Sequence, residues 1–254
     1  SYSATISDTV YAGLDARYSR GRDDEPDVGS LRATGGWQIS PRLNLTGDFG
    51  YDRVGGQNRL SAFFSLVFRF DRSSSLRADY DSRGDRKRLT YQTYHGTGTG
   101  AYNFSADIEH SDVGIVTGAN GTLFSNRAEL GFSHFGAFEG DLGGSTSQRT
   151  SLRFGTALAV ADGAFSVGRP IQDSFAIVSP HASLRGTDIL IEPTGRSAAA
   201  NSGALGTALQ PSLSSYSERN LLITAPDAPL NTDLGEGSFR LLPPYRGGYR
   251  LTVG

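Results

Sequence analysis

Period-two alternation runs through the first two thirds of the chain, placing successive side chains on opposite faces of extended strands. From Thr9 to Arg20 the apolar set Val10, Ala12, Leu14, Ala16 and Tyr18 opposes Asp15 and Arg17. Leu31, Ala33, Trp37 and Ile39 oppose Arg32, Thr34 and Gln38, and Leu43, Leu45, Phe49 and Tyr51 oppose Asn44, Thr46, Asp48 and Asp52. Leu60, Ala62, Phe64, Leu66, Phe68 and Phe70 oppose Arg59, Ser61, Ser65 and Arg69, and Leu76, Ala78 and Tyr80 oppose Arg77, Asp79 and Asp81. Tyr102, Phe104, Ala106 and Ile108 face away from Asn103, Ser105, Asp107 and Glu109. Ala128, Leu130 and Phe132 oppose Arg127, Glu129 and Ser133, and Leu152, Phe154, Leu158 and Val160 close the series. With weaker segments near 88–94, 114–119 and 164–169, the pattern predicts roughly ten or eleven strands of about ten residues, the length of a tilted membrane-crossing strand. Turn signals separate them: Ser40-Pro41, Gly55-Gly56, Arg83-Gly84-Asp85, Asn120-Gly121 and Asp162-Gly163.

A soluble β-sandwich also alternates. Three features favour a membrane barrel with up-and-down pairing. The strands are longer than the five or six residues usual in sandwiches. Aromatics recur near strand ends (Tyr18, Trp37, Tyr51, Phe70, Tyr80, Tyr91), as an interfacial girdle requires. Charges keep to one register in most strands.

Beyond Pro170 the pattern shortens. Apolar bursts at 175–178, 189–191, 221–223, 239–242 and 249–253 are separated by turn residues and by the small-residue run Ser197–Gly203. This predicts a β-sandwich of about 80 residues. The expected architecture is therefore all-β: antiparallel transmembrane strands of a partial barrel over 1–171, then a small β-sandwich over 172–254.

Composition narrows the chemistry. The chain has no cysteine, which excludes a disulfide framework and a thiolate metal site. A net charge of −2 gives no basic field for nucleic acid. His95, His110, His134 and His181 lack ligand spacing. The Gly-rich run at 95–100 lacks the lysine of a phosphate loop, and nothing marks a nucleophile elbow. No catalytic, cofactor or metal site is expected, and no enzyme. The acidic cluster Asp23-Asp24-Glu25 reads as solvated loop charge, and Arg83-Gly84-Asp85 as a plain turn.

The second segment resembles a known family. Gly168-Arg169-Pro170-Ile171-Gln172-Asp173-Ser174-Phe175-Ala176-Ile177-Val178 looks like the junction at which fimbrial ushers leave their barrel for a first C-terminal periplasmic domain. Leu209-Gln210-Pro211-Ser212-Leu213-Ser214-Ser215-Tyr216-Ser217-Glu218-Arg219-Asn220 resembles the usher segment P-x-L-x-x-Y-x-x-N/R, followed by Leu222, Ile223, Asp227, Leu230 and Asp233. Pro243 to Tyr249 stands where the family has P-x-x-G-A, and Ala157 to Gly163 resembles the last barrel hairpin. The longer loop from Thr194 to Gly206 departs from the family's usual turn.

The resemblance implies an outer-membrane pore that assembles and secretes pilus subunits delivered by periplasmic chaperones, with no cofactor. The chain would then be the C-terminal half of the barrel plus the first C-terminal domain, a piece that needs the rest of its barrel to close two open edges. Its partners would be chaperone–subunit complexes, outer-membrane lipid and the remainder of the usher. Arg32, Asp48, Arg69, Asp79, Glu109 and Glu129 would line the lumen, and Leu209, Leu213, Tyr216 and Arg219 would bind the chaperone–subunit complex. The rival readings are another large outer-membrane barrel (a porin, a transporter or a barrel enzyme) and a soluble β-sandwich adhesin.

Overall fold

The computed structural model describes residues 1–21, 27–140, 144–195, 197–229, 234–235 and 237–254. The Asp23-Asp24-Glu25 cluster, Leu230 and Asp233 lie outside them. Eleven strands follow one another as a single antiparallel sheet in sequence order: β1 (Tyr2–Ser7), β2 (Val10–Ser19), β3 (Val28–Ser40), β4 (Leu43–Val54), β5 (Gln57–Arg69), β6 (Ser74–Asp81), β7 (Arg86–Tyr94), β8 (Tyr102–Ser111), β9 (Gly114–Phe124), β10 (Glu129–Phe138) and β11 (Ser145–Gly155). This is the fold of a partial antiparallel barrel.

Register converts the alternation into two faces. One row of facing partners reads Val10, Trp37, Leu45, Leu66, Ala78, Leu89, and another reads Ala16, Leu31, Tyr51, Leu60. Among the described residues nothing is layered on these apolar rows. Leu60 is 82% exposed, and Trp37, Phe49 and Leu89 are exposed with it. An apolar face of this extent is costly in water and is what a lipid-facing surface looks like. Aromatic rings mark one end of it: Phe68 and Phe70 lie 5.0 Å apart, Phe70 and Tyr91 6.2 Å, Tyr91 and Phe104 6.4 Å.

Three expectations are corrected. The Asn120-Gly121 turn does not exist; the reversal is at Asp112-Val113, and β9 runs on through 120–121. Backbone pairing carries β9 past this dipeptide to its end, where Phe124 N donates to the Ala101 carbonyl at 2.9 Å and Gly100 N to the Phe124 carbonyl at 2.7 Å. The pattern also missed β1 and took Ala157–Gly163 for barrel strands. Instead β12 (Ala157–Ala161) and β13 (Ala164–Gly168) form a two-stranded sheet of their own. Asp162 (φ 46°) and Gly163 (φ 75°) make its turn, in which both residues need positive φ.

The remaining strands are β14 (Ser174–Pro180), β15 (Leu190–Ile191), β16 (Ala200–Asn201), β17 (Ala208–Leu213), β18 (Arg219–Thr224), β19 (Ser238–Leu241) and β20 (Gly248–Val253). They form a three-stranded sheet in the order β17-β14-β20 and a four-stranded sheet in the order β16-β15-β18-β19. The β14–β20 pair is parallel, an exception to the antiparallel rule of the rest. Ala176, Val178, Ile189, Ile191, Leu221, Ile223, Leu251 and Val253 fill the core of this sandwich. On the opposite side of β14 and β17, Ile177 and Leu209 pack against Ala159, Ala161 and Ala164 of the β12–β13 hairpin. A strand buried on both faces needs a continuous apolar run, which is why 175–178 does not alternate.

The chain forms two compact units, Ser1–Tyr94 with Phe104–Asn120 and Ser133–Thr150, and His95–Asn103 with Gly121–Phe132 and Ser151–Gly254. The hairpin thus belongs with the sandwich that follows it, because its small inner side chains let it lie flat on β14 and β17. Gly168 shows how close the fit is: a Cβ there would stand 2.8 Å from Leu209 Cβ. Leu209→Ala, which empties the joint between hairpin and sandwich, is expected to destabilise the second unit by about 2–5 kcal/mol in urea unfolding followed by hydrogen exchange over 151–254.

Candidate functional site: a charge-paired sheet face and a guanidinium clamp

The polar face of the long sheet is the first candidate. Asp15 stands opposite Arg32, Thr34 opposite Asp48, Asp79 opposite both Ser65 and Arg88, and Arg69 opposite Ser75, so Arg32, Asp48, Arg69 and Asp79 share one face. Acid and base alternate across the strands. Arg32 Nε reaches Asp48 Oδ1 at 3.4 Å, Arg77 Nε reaches Asp79 Oδ1 at 2.8 Å, and Arg86 Nη2 reaches Asp81 Oδ2 at 3.2 Å. Arg88 meets Asp107 at 3.1 Å and Glu109 at 3.9 Å, which adds Glu109 to the same ladder. Gly118 makes room for it, since a Cβ there would stand 2.8 Å from Asp107 Oδ1. Arg83 lies in the β6–β7 turn and pairs with Asp52 at 3.9 Å. Glu129, the sixth lining residue expected, is in the second unit, where Arg153 Nη2 reaches it at 3.1 Å. Individual exposed pairs contribute little stability. Collectively they leave a wet surface with hydroxyls and compensated charge.

The second candidate lies within the sandwich unit and was not legible as a motif. Arg127, in the turn between β9 and β10, donates to the carbonyl oxygens of Val167 (2.5 Å), Thr207 (3.0 Å) and Ser202, and to Ser166 Oγ (3.4 Å). Arg169, just after β13, donates to the carbonyls of Thr97 (2.5 Å) and Ala199 (2.7 Å) and stacks 5.6 Å from the Phe124 ring centroid. Burial lowers both guanidinium pKa values, with Glu129 opposing the shift at Arg169. Asn126 Nδ2 donates to the Asn201 carbonyl at 2.8 Å, while Asn201 N donates to Asn126 Oδ1 at 2.9 Å. Thr99 N donates to the Ala198 carbonyl at 2.8 Å, and Ser197 Oγ to the Thr99 carbonyl at 3.1 Å. The connections at 95–101 and 125–128 are thereby held on the small-residue segment 197–203. That composition permits the approach: a Cβ on Gly98 would stand 2.6 Å from Ser197 Oγ.

The four residues expected to bind a partner divide. Leu209 (2% exposed) and Leu213 (1%) are core and reach no partner surface, a correction that follows from β17 being covered on both faces. Tyr216 is 75% exposed, and Arg219 is exposed at the start of β18. Tyr216 N donates to the Pro243 carbonyl at 2.7 Å, which brings exposed Leu242 and Tyr245 to the same corner. Asp173 ties that corner together. It accepts from Ser215 Oγ (2.5 Å), Ser215 N (2.9 Å) and Arg246 N (3.4 Å). These bonds, the Ser215 hydroxyl first, hold the Asp173 carboxyl below its ordinary pKa.

Among the described residues no group of three or more His, Asp or Glu is placed to hold a metal ion. His134 Nδ1 meets Thr150 Oγ1 at 2.8 Å, and His181 Nδ1 accepts from Ser183 N at 3.3 Å.

No family model matches the chain and no curated protein matches it. Among solved structures, it is similar to a chain of the cryo-EM structure of the E. coli P pilus tip assembly intermediate PapC-PapD-PapK-PapG in the second conformation, at 11% identity and a TM-score of 0.60. The match covers 98% of this chain and 30% of that one, so this chain spans under a third of its neighbour's length. The likeness establishes a shared fold, a partial barrel followed by a small sandwich.

Arg127→Met is expected to strip the Val167, Ser202 and Thr207 carbonyls of their donor, at about 1–3 kcal/mol for each that stays buried. Hydrogen exchange should rise at 121–132 and 200–207 and stay unchanged at 28–94. Asp173 has a depressed folded pKa, so its contribution is complete above the unfolded carboxylate value near about 3.9 and is lost as pH falls through the lower folded value. Asp173→Asn should remove that acid-side loss and free the Tyr216 corner, read from melting curves between about pH 2 and 5.

Proposed function

We propose that this chain is the C-terminal part of a fimbrial usher, an outer-membrane pore through which pilus subunits delivered by periplasmic chaperones are assembled and secreted. One observation carries the reading: a single long sheet is apolar and exposed on one face, charge-paired on the other, and followed at once by a folded sandwich. A soluble adhesin leaves the apolar rows in water, and a diffusion porin has no need of the sandwich. Fold similarity to a chain of a pilus tip assembly intermediate supports the same choice.

In this reading the exposed rows meet outer-membrane lipid and the Arg–Asp ladder lines the lumen. Compensated charge and hydroxyls let a folded subunit slide without an apolar or single-sign patch to hold it. Arg32, Asp48, Arg69, Asp79 and Glu109 lie on that lining, and Glu129, paired with Arg153, is assigned the same role. The work is non-covalent and calls for no cofactor. The sandwich lies in the periplasm and receives the chaperone–subunit complex on the corner of Tyr216 and Arg219, residue types common among interface anchors.

Tyr216→Ala combined with Arg219→Ala should weaken capture of chaperone–subunit complexes about tenfold or more, while the melting temperature stays within a degree or two. Surface plasmon resonance on the reconstituted usher checks this. Unchanged affinity removes the Tyr216 corner from the binding site, and wild-type fibre export from a strain lacking the chain's parent gene overturns the usher reading.

A further inference from the structure

The β12–β13 hairpin has an apolar outer face that its own packing does not require. Its inner face, Ala159, Ala161, Ala164 and Ser166, is buried, and Ala159, Ala161 and Ala164 pack on Ile177 and Leu209. Its outer face carries two cross-strand pairs, Leu158 with Val167 and Val160 with Phe165. Leu158 and Val160 are 72% and 67% exposed, and Phe165 is exposed beside them. A hairpin that only docked inward carries polar residues outward.

That face continues a row that begins in β11. Residues 151–154 are all exposed; from Phe154 to Ala161 exposure alternates, with Phe154, Thr156, Leu158 and Val160 exposed and Gly155, Ala157, Ala159 and Ala161 half-buried or buried, so the phase holds across Thr156. Early in β11 the same row is polar, with Thr146, Gln148 and Thr150. It turns apolar only at Leu152 and Phe154, then passes through Thr156 to Leu158 and Val160. Leu130 and Phe132 of β10 share this side, because Glu129 and Gly131 on the other side both abut Arg153. From Leu152 to Val160 the row spans about 26 Å at roughly 3.3 Å per residue, close to the apolar band of about 25 Å on outer-membrane barrels. The last strand therefore reaches that band only if the hairpin is counted in it. At the tip the chain becomes polar: Arg250 Nη1 donates to the Asp162 carbonyl at 3.0 Å, a cation able to extend toward headgroups.

We propose that the hairpin β12–β13 is a lipid-contacting element, with Leu158, Val160, Phe165 and Val167 seated in the acyl–headgroup boundary of the membrane that the long sheet crosses. It anchors the sandwich unit to the bilayer as well as to the strand that precedes it. The proposal rests on the membrane-pore reading, and its occupant is phospholipid because the face keeps the phase of the apolar row of Leu152 and Phe154, with Thr156 the one polar position between them.

The test uses nitroxide labels on single cysteines, since the chain supplies none of its own. Val160→Cys, Leu152→Cys and Leu222→Cys are introduced into the full protein reconstituted in phosphatidylcholine vesicles. Collision with oxygen and with a water-soluble nickel chelate is measured by electron paramagnetic resonance. The expected result is an oxygen-to-nickel ratio at Val160 several-fold above that at Leu222 and comparable with that at Leu152. A Val160 ratio equal to that of Leu222, with Leu152 still high, overturns the hairpin proposal and leaves the membrane reading standing. Low access to both reagents at Val160 means that protein covers the face, and overturns it too. A low ratio at Leu152 overturns the membrane reading and the proposal together. Phe165→Cys repeats the measurement on β13, so that a Val160 variant that fails to fold does not decide the matter.

Discussion

One sheet in this chain carries two chemistries, apolar on one face and charged on the other, and period-two geometry is the constraint that makes this possible. Because neighbouring side chains point to opposite faces, a strand such as β5 sets Leu60, Phe64 and Leu66 on one side and Arg59, Ser61 and Ser65 on the other without any change in backbone. Register then aligns like with like over successive strands. A slip of one residue in any pair would exchange the faces and place arginines in the apolar rows. The charge ladder reinforces the register, since Arg32–Asp48 and Arg88–Asp107 form only when the facing residues are the ones seen.

The C-terminal unit rests on a different principle. Two of its guanidiniums, those of Arg127 and Arg169, are held by backbone carbonyls more than by carboxylates, which makes them structural donors for the connections beside them. Buried carbonyls need donors, and a planar guanidinium can serve several at once from one position. The two turns thus become part of the sandwich unit instead of loose connections. The sandwich thereby keeps a fixed orientation to those turns, with the Tyr216 corner left exposed.

Much of the fold was legible because alternation is a local signal. Ten of the strands announce themselves through residues such as Leu14 against Asp15 or Phe104 against Ser105, and the sandwich through the non-alternating bursts at 175–178 and 189–191. The candidate lining was legible for the same reason. Its pairing was not, since Arg88 meets Asp107 across 19 residues of sequence. Asn120-Gly121 shows the opposite failure: a dipeptide with strong local turn preference is overruled by the backbone pairing of the strand, and β9 passes through it.

What the sequence determined by itself was the division of each strand into two chemistries, because that depends only on residue order and the pleat. Tertiary structure alone decided where the long sheet stops. Leu152, Phe154, Leu158 and Val160 read as one strand, and their phase is indeed unbroken, yet Ala159 and Ala161 find Ile177 and Leu209 and draw the chain into the hairpin. It also withdrew Leu209 and Leu213 from any partner surface and left Tyr216 exposed. Burial depends on which segments meet, and the segments that meet at Leu209 lie about 50 residues apart along the chain.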